Sequence, residues 1–196
     1  MKRSANAAVA TMLVIWTSVL ACGGMTATAY GVKAVKARRG RCRGAHLMPT
    51  EANVSRVVAA TLCLVDIERE ARRLRPLRSN GFLQRMALRQ ADDMVIGDYF
   101  GDNSLTGMTP WQRITASRYA RGAPRLTAGQ NIGWGTGRLA TPAAMVAAWM
   151  RSAPHREIML SGAYRDAGVG VAPAAPRRVA GGMRGATYTA VFAAKG

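Results

Sequence analysis

The order of the periodic patterns constrains the fold of this chain most strongly, because helical patterns come first and strand patterns come late. Apolar residues recur at spacings of three and four between residues 51 and 74, which predicts an amphipathic helix. A second helical segment begins at Ser79-Asn80 and continues to about Gly97. Since the helices precede the strands, the order favours an α+β fold over a doubly wound parallel sheet.

Two shorter helices share a threonine-proline start. Thr109-Pro110 and Thr141-Pro142 each place a capping hydroxyl before a proline, a residue that suits the first helical turn. We expect the second of these helices to direct four apolar side chains inward: Met145, Val146, Trp149 and Met150.

Strand-like runs occupy residues 167–172 and 187–193. Residues 173–185, which join them, are rich in Pro, Gly and Arg, so we expect an antiparallel hairpin with a long loop. The glycine-punctuated segment 130–135 is a shorter candidate strand.

The first thirty residues have the form of an export signal. Lys2 and Arg3 precede an apolar stretch at 7–21, which is short for a membrane-spanning helix of about 20 residues. Small residues at 27 and 29 supply a cleavage motif, so we expect a signal peptide at 1–29 with cleavage after Ala29. The mature protein would then be secreted, with an extracellular or cell-envelope location, and would meet the membrane only through its export signal.

Cys22 leaves two other outcomes open. The segment 19–22 loosely resembles a lipoprotein box, in which a diacylated Cys22 would become the mature N-terminus. The apolar stretch would otherwise remain attached as an uncleaved anchor.

The charge of the chain is strongly positive and restricts its partners. The chain has 28 basic and 10 acidic residues, a net charge of +18, and loss of the signal peptide leaves +16. Because 49% of the residues are hydrophobic, a disordered basic tail is excluded. No base-reading motif is present, and export separates the protein from genomic DNA. We therefore expect no nucleic acid partner, but an anionic wall polymer or lipid headgroup.

Export also decides the chemistry of the cysteines, because the compartment it leads to is oxidising. Without Cys22, Cys42 and Cys63 remain and form one candidate disulfide, which would tie the segment before the domain to the first helix. Two free thiols are the alternative. The nearby His46 does not complete a zinc-binding spacing.

Seven motifs follow one another in an order that resembles a known family. They are ATLCLV at 60–65, RPL at 75–77, DM at 93–94 with YF at 99–100, TPWQRI at 109–114, GQNIGWG at 129–135, AWMRSAPHR at 148–156 and GVG at 168–170. The set resembles the bacterial branch of the CAP superfamily, which groups cysteine-rich secretory proteins, antigen 5 and pathogenesis-related proteins and is also called SCP-like extracellular protein. The cysteines and basic composition are most similar to actinobacterial members. Residues 30–52 are predicted as a basic leader, because their first part is rich in Lys and Arg and has no periodic apolar face. The resemblance implies a CAP domain at 53–196, an α-β-α sandwich with a central antiparallel sheet.

The resemblance also implies a cleft of two histidines and acidic residues, from which this chain departs. Asp102 stands where the family places its first histidine, Gln130 where it places its first glutamate, and Ser152 where eukaryotic relatives place the second glutamate. His155 matches the second histidine. These four residues, Asp102, Gln130, Ser152 and His155, are the predicted ligand-binding cleft.

Two further positions bear on the chemistry of the cleft. Gln90 stands where bacterial relatives often have another histidine, and Asp166 is the acidic residue just before the GVG motif. Since two of the usual imidazoles are missing, the set is poor for a divalent metal, and we expect no resident metal or cofactor.

The sequence thus predicts a secreted, monomeric CAP-domain protein without enzymatic activity, which binds a ligand, lipid being one candidate, or an anionic surface. The alternative is a hydrolase or metal-dependent enzyme that uses His155 with Asp102 and Gln130, and with Asp166 as a further acidic residue.

Overall fold

A computed structural model describes residues 42–177 and 182–196; the predicted signal peptide, most of the basic leader and part of the last loop lie outside these ranges. The described helices are α1 (Val54–Glu70), α2 (Gly81–Ile96), α3 (Pro110–Thr115), α4 (Pro142–Arg151) and α5 (Ala153–Met159), with a 3-10 turn at Gly137–Ala140. The strands are β1 (Arg78–Ser79), β2 (Leu126–Thr136), β3 (Asp166–Ala172) and β4 (Gly185–Lys195).

The strands form one sheet in the order β1-β3-β4-β2. β3 and β4 form the predicted hairpin, and β2 pairs with β4 in antiparallel register, with Gln130 opposite Val191. The short β1 was not predicted, and it makes the sheet mixed, because Arg78 pairs with Asp166 of β3 in parallel. The α+β prediction is confirmed.

Capping side chains start the helices where the sequence predicts. The Thr109 hydroxyl accepts a hydrogen bond from the backbone of Gln112, whose own side chain bonds back to Thr109 in a capping box. Asn80 caps α2 and Thr141 caps α4 in the same way, by accepting backbone N–H bonds. The helix α3 ends at Thr115, and Tyr119 lies in the turn beyond its end.

Helices cover both faces of the sheet, because alternate residues of β4 belong to different cores. Ala190 and Phe192 pack with α1, α4 and α5, whereas Val191 and Ala193 pack with Leu83 of α2 and Ile114 of α3. We call these the scaffold face and the groove face. The helices on both faces confirm the expected layers of helices around a central sheet.

Glycines allow α2 to lie directly on β3. A Cβ atom at Gly168 would overlap the backbone of Leu83 and Gln84, and one at Gly170 would overlap Ala87 and Leu88. The GVG motif therefore sets the close approach between this strand and the helix that carries Gln90.

The predicted disulfide between Cys42 and Cys63 is present, with its Cα atoms 5.8 Å apart. Cys42 is buried, and the nearby Ala45 carbonyl accepts a hydrogen bond from the backbone of Ala143 at the start of α4. The part of the leader that the structure describes is thereby joined to both α1 and α4. In the two described ranges, no helix combines the length and apolar character needed to cross a bilayer.

Candidate functional site

Asp102 and Gln130 meet on the groove face, where Arg113 of α3 joins them. The Gln130 amide nitrogen donates to the Asp102 carboxylate over 3.2 Å, and the amide oxygen accepts from the Arg113 guanidinium over 2.8 Å. The same guanidinium group donates to the backbone carbonyls of Asp102 and Met108. The side-chain amide of Gln130 is therefore engaged at both of its ends.

Gln90 lies beneath this cluster and is 1% exposed. Its amide nitrogen donates to the backbone carbonyls of Gly101 and Asn103, at 3.0 and 3.2 Å. Because Arg113 holds the intervening carbonyl of Asp102, three consecutive carbonyls are fixed by two side chains from different helices. We call this arrangement the turn clamp.

The turn clamp leaves two buried polar atoms without a hydrogen-bond partner, the Gln90 side-chain oxygen and the Arg113 Nε. Burial lowers the pKa of Arg113, and Tyr99, Asp102 and Asp93 oppose that shift. One acceptor on α2 and one donor on α3 thus remain unsatisfied.

Ser152 and His155 form a separate pair at the junction of α4 and α5. Their side chains are joined by a hydrogen bond of 2.7 Å between the Ser152 hydroxyl and the His155 Nδ1. Ser152 occupies the N-cap of α5 without bonding to its backbone, since the hydroxyl is taken by the imidazole. The backbone carbonyl of His155 accepts from the Asn131 amide on β2.

The four predicted cleft residues therefore fall into two pairs. Within residues 42–177 and 182–196, no hydrogen bond joins His155 or Ser152 to Asp102 or Gln130. Asn131, which contacts the His155 segment, follows Gln130 directly in β2, and neighbouring strand residues point to opposite faces.

The side chains present do not fit a divalent metal. In the described part of the chain, no three His, Cys, Asp or Glu residues are grouped so that they could hold an ion. Asp102 faces an amide N–H, and the imidazole of His155 is bonded to a hydroxyl in a separate pair, so these side chains do not offer the convergent nitrogen and oxygen ligands that such ions require.

Asp166 belongs to a third arrangement, at the pairing of β1 with β3. Its two carboxylate oxygens accept hydrogen bonds from the Tyr119 hydroxyl at 2.8 Å and from Arg78 Nε at 2.9 Å. Asp166 is 8% exposed, so this pairing fixes the start of β3. It makes no hydrogen bond to His155.

Sequence reasoning missed Arg113, although it lies in the TPWQRI motif. Beside it, α3 and β2 border a groove of about 270 Å³, which we call the cleft groove. Trp111, half exposed, lines the cleft groove with Met86, Ile114 and Gln130. A charged residue in the middle of a short amphipathic helix gives no sequence signal that it turns toward a strand.

The described fold and motifs agree with a known family. The model of the cysteine-rich secretory protein family, abbreviated CAP, matches residues 62–192. The chain belongs to this family.

Relatives of this CAP chain come from several bacteria. The protein YkwD of Bacillus subtilis is 33% identical over 107 residues, which are 55% of this chain and 39% of YkwD. An extracellular protein of Bacillus anthracis that contains an SCP domain superposes with a TM-score of 0.55 at 23% identity, over 74% of this chain and 43% of that one. This chain thus spans about two fifths of the length of each.

An outer surface protein of Borrelia burgdorferi superposes with a TM-score of 0.55 at 16% identity, over 78% of this chain and 99% of that one. At these identities the structural likeness establishes the CAP fold.

At the predicted cleft positions of this CAP chain, the side chains bond to one another and to the neighbouring turn. Gln90 holds the turn, and Gln130 bridges Asp102 and Arg113.

Proposed function

We propose that this CAP-domain protein is a secreted, non-enzymatic protein that binds anionic ligands of the cell envelope. The observation that carries the proposal is the internal bonding of the cleft. Gln130 bonds to both Asp102 and Arg113, and His155 is paired with Ser152.

The groups available at the Asp102–Gln130 pair argue against catalysis there. A general base must reach the proton that it removes and must hold a suitable pKa. Gln130 is neutral and does not take up a proton at ordinary pH. The Asp102 carboxylate accepts a hydrogen bond from the Gln130 amide, and His155 lies in the other pair.

Two observations support an extracellular site of action. The Cys42–Cys63 disulfide is typical of proteins that fold in oxidising compartments. The similar structures include a Bacillus anthracis protein described as extracellular and a Borrelia burgdorferi protein described as an outer surface protein. The export pattern at 1–29 agrees with both.

The preference for anions rests on charge. A net charge of +16 after export creates a field that concentrates anionic partners near the surface. Wall polymers and acidic lipid headgroups meet this description outside the cell.

Retention on anionic vesicles tests the proposal. The exported protein is sedimented with vesicles of phosphatidylglycerol and phosphatidylcholine, and with phosphatidylcholine alone. We expect retention on the anionic vesicles that falls steeply with added salt. Casein hydrolysis that disappears in His155→Ala would contradict the non-enzymatic part, and equal retention on neutral vesicles would contradict the anionic part.

A second candidate function is a hydrolase, favoured by one observation. The Ser152 hydroxyl lies 2.7 Å from a histidine ring nitrogen, a distance suited to a nucleophile and its base. A fluorophosphonate probe tests this reading, since it labels activated serines. Labelling at Ser152 that is lost in His155→Ala would favour the hydrolase, whereas an unlabelled protein supports the binding function.

A further inference from the structure

A second groove on the groove face adjoins the turn clamp and shares Gln90 and Arg113 with it. It has a volume of about 700 Å³ and runs between α2 and the segment 113–118, with the turn at 104–108 along one side. Four arginines line it, Arg85, Arg89, Arg113 and Arg118, while Met86 and Met108 give it apolar surface. We call it the arginine groove.

The arginines of α2 are placed unfavourably with respect to each other. Arg85 and Arg89 are one helical turn apart, and like charges at this spacing destabilise a helix. Neither forms an ion pair within the described residues, and Arg85 rests instead on the ring of Phe82, 4.8 Å from its centroid. An anion between the two side chains would remove their repulsion.

Arg118 lines the arginine groove from the opposite wall. Its side chain is exposed, and among the described residues it has no carboxylate within ion-pair distance. Guanidinium groups therefore border the groove on both sides.

Acidic side chains of the arginine groove offset only part of the charge of these arginines. Asp92 and Asp93 also line it, but neither makes an ion pair in the part of the chain that the structure describes. Burial raises the pKa of Asp92, and Glu51 and Asp93 raise it further. The groove thus keeps an excess of two positive charges over the lining carboxylates.

The turn clamp contributes the remaining groups. Gln90 and Arg113 both line the arginine groove, and each carries a buried polar atom without a partner, an amide oxygen and a guanidinium Nε. Buried polar atoms are nearly always hydrogen-bonded, so a ligand group that reached these atoms would gain by donating to one and accepting from the other. A hydroxyl group does both.

We propose that the arginine groove binds a phosphorylated polyol. A phosphate offers more acceptor oxygens than a carboxylate and suits guanidinium groups that approach from two walls. A hydroxyl on the neighbouring carbon would satisfy the orphaned atoms of Gln90 and Arg113. This inference rests on the proposed function and names the ligand class for it. A free polyol phosphate, a wall polymer and a lipid headgroup all carry this chemistry, and the experiments below distinguish them.

Calorimetric titration of the exported, disulfide-intact protein with glycerol 3-phosphate tests the inference. The variant Arg85→Gln/Arg89→Gln removes two groove charges at exposed positions of α2. Its matched control, Arg56→Gln/Arg151→Gln, removes two exposed charges from α1 and α4 on the scaffold side. We expect the groove variant to bind at least about tenfold more weakly and the control to change by less than about twofold.

Comparison of three probes separates the two parts of the site. We expect glycerol 3-phosphate to bind more tightly than inorganic phosphate, because only the former supplies a hydroxyl, and glycerol alone not to bind. Equal weakening in both double variants, or no binding of glycerol 3-phosphate to the wild type, would overturn the inference.

A competition experiment distinguishes the sources and separates this inference from the proposed function. Displacement of the protein from phosphatidylglycerol vesicles by glycerol 3-phosphate supports a lipid headgroup in the groove. Binding of glycerol 3-phosphate without vesicle retention supports a free or polymeric polyol phosphate. Vesicle retention that neither glycerol 3-phosphate nor the groove variant reduces would overturn the groove site while leaving anionic binding intact.

Discussion

The two faces of the sheet differ in what their side chains do. Among the residues that the structure describes, the scaffold face buries a cluster of twenty, which includes the disulfide partner Cys42, whereas the groove face buries a cluster of six. Both grooves lie on the groove face, and there the polar side chains bond across a turn rather than into a core. The difference indicates that one face supplies most of the stability, which leaves the other free to change its chemistry.

Truncation of Trp149 is the strongest test of this comparison. Trp149 is 2% exposed on the scaffold face and donates a hydrogen bond to the Ile132 carbonyl at 2.9 Å. Trp149→Ala should lower the free energy of unfolding by about 4 kcal/mol, against about 2 kcal/mol for Ile114→Ala on the groove face. Urea denaturation measures both, and an equal or larger loss in Ile114→Ala would break the comparison.

Loss of the disulfide should have the next largest effect. The bond spans 21 residues, and the loop model assigns a closure of this length about 3 kcal/mol. Cys42→Ser/Cys63→Ser should therefore be less stable by about this amount, with faster amide exchange in α1 and residues 42–52 than in α2. Exchange that accelerates equally in α2 would show that the two faces unfold as one unit.

Two buried tyrosines form an exception to the comparison, because the one on the groove face is expected to stabilise the protein more. Tyr119 of the groove-face cluster donates to the Asp166 carboxylate, whereas Tyr188 of the scaffold-face cluster donates to the neutral carbonyl of Ala140. Because bonds to charged acceptors are stronger, Tyr119→Phe should cost about 2 kcal/mol and Tyr188→Phe about 1 kcal/mol. Thermal unfolding of the two variants measures both losses of stability. A larger loss in Tyr188→Phe than in Tyr119→Phe would contradict the prediction.

Asp66 should give the smallest effect, through pH. Burial raises the pKa of Asp66 to about 6, although the backbone N–H of Leu77 and the charge of Arg69 oppose the shift. The folded state therefore favours the protonated carboxyl, and this contribution to stability is present below about pH 4 and is lost as the pH rises through about 6.

Asp66→Asn should remove that pH dependence, because an amide does not titrate. The amide oxygen can still accept the hydrogen bond from the backbone N–H of Leu77. After allowance for solvent screening, we expect the variant to be more stable than the wild type at pH 7 by about 1 kcal/mol. Urea denaturation across pH 4 to 8 provides the measurement; a variant with the wild-type slope would locate the titration elsewhere.

Local patterns predicted the scaffold well. Threonine-proline starts, apolar spacing and late strand runs placed four helices and the β3–β4 hairpin, because each signal lies within a few residues of sequence. Two elements were missed for the same reason. The two residues of β1 carry no periodicity, and α5 follows α4 so closely that Ser152 is the cap of both helices.

The site was harder to predict than the fold. The family resemblance located Asp102, Gln130, Ser152 and His155, but their partners depend on contacts between distant segments. Arg113 reaches Gln130 across 17 positions, and nothing in either residue type indicates that bond. The pairing of Ser152 with His155 spans three positions and was within reach of a local analysis.

The turn clamp has a consequence for any redesign of this site. A histidine in place of Gln90 would withdraw the amide nitrogen that holds the carbonyls of Gly101 and Asn103. The new imidazole would therefore lie beside a loosened turn. A design that adds ligands here has to supply another support for the turn in the same step.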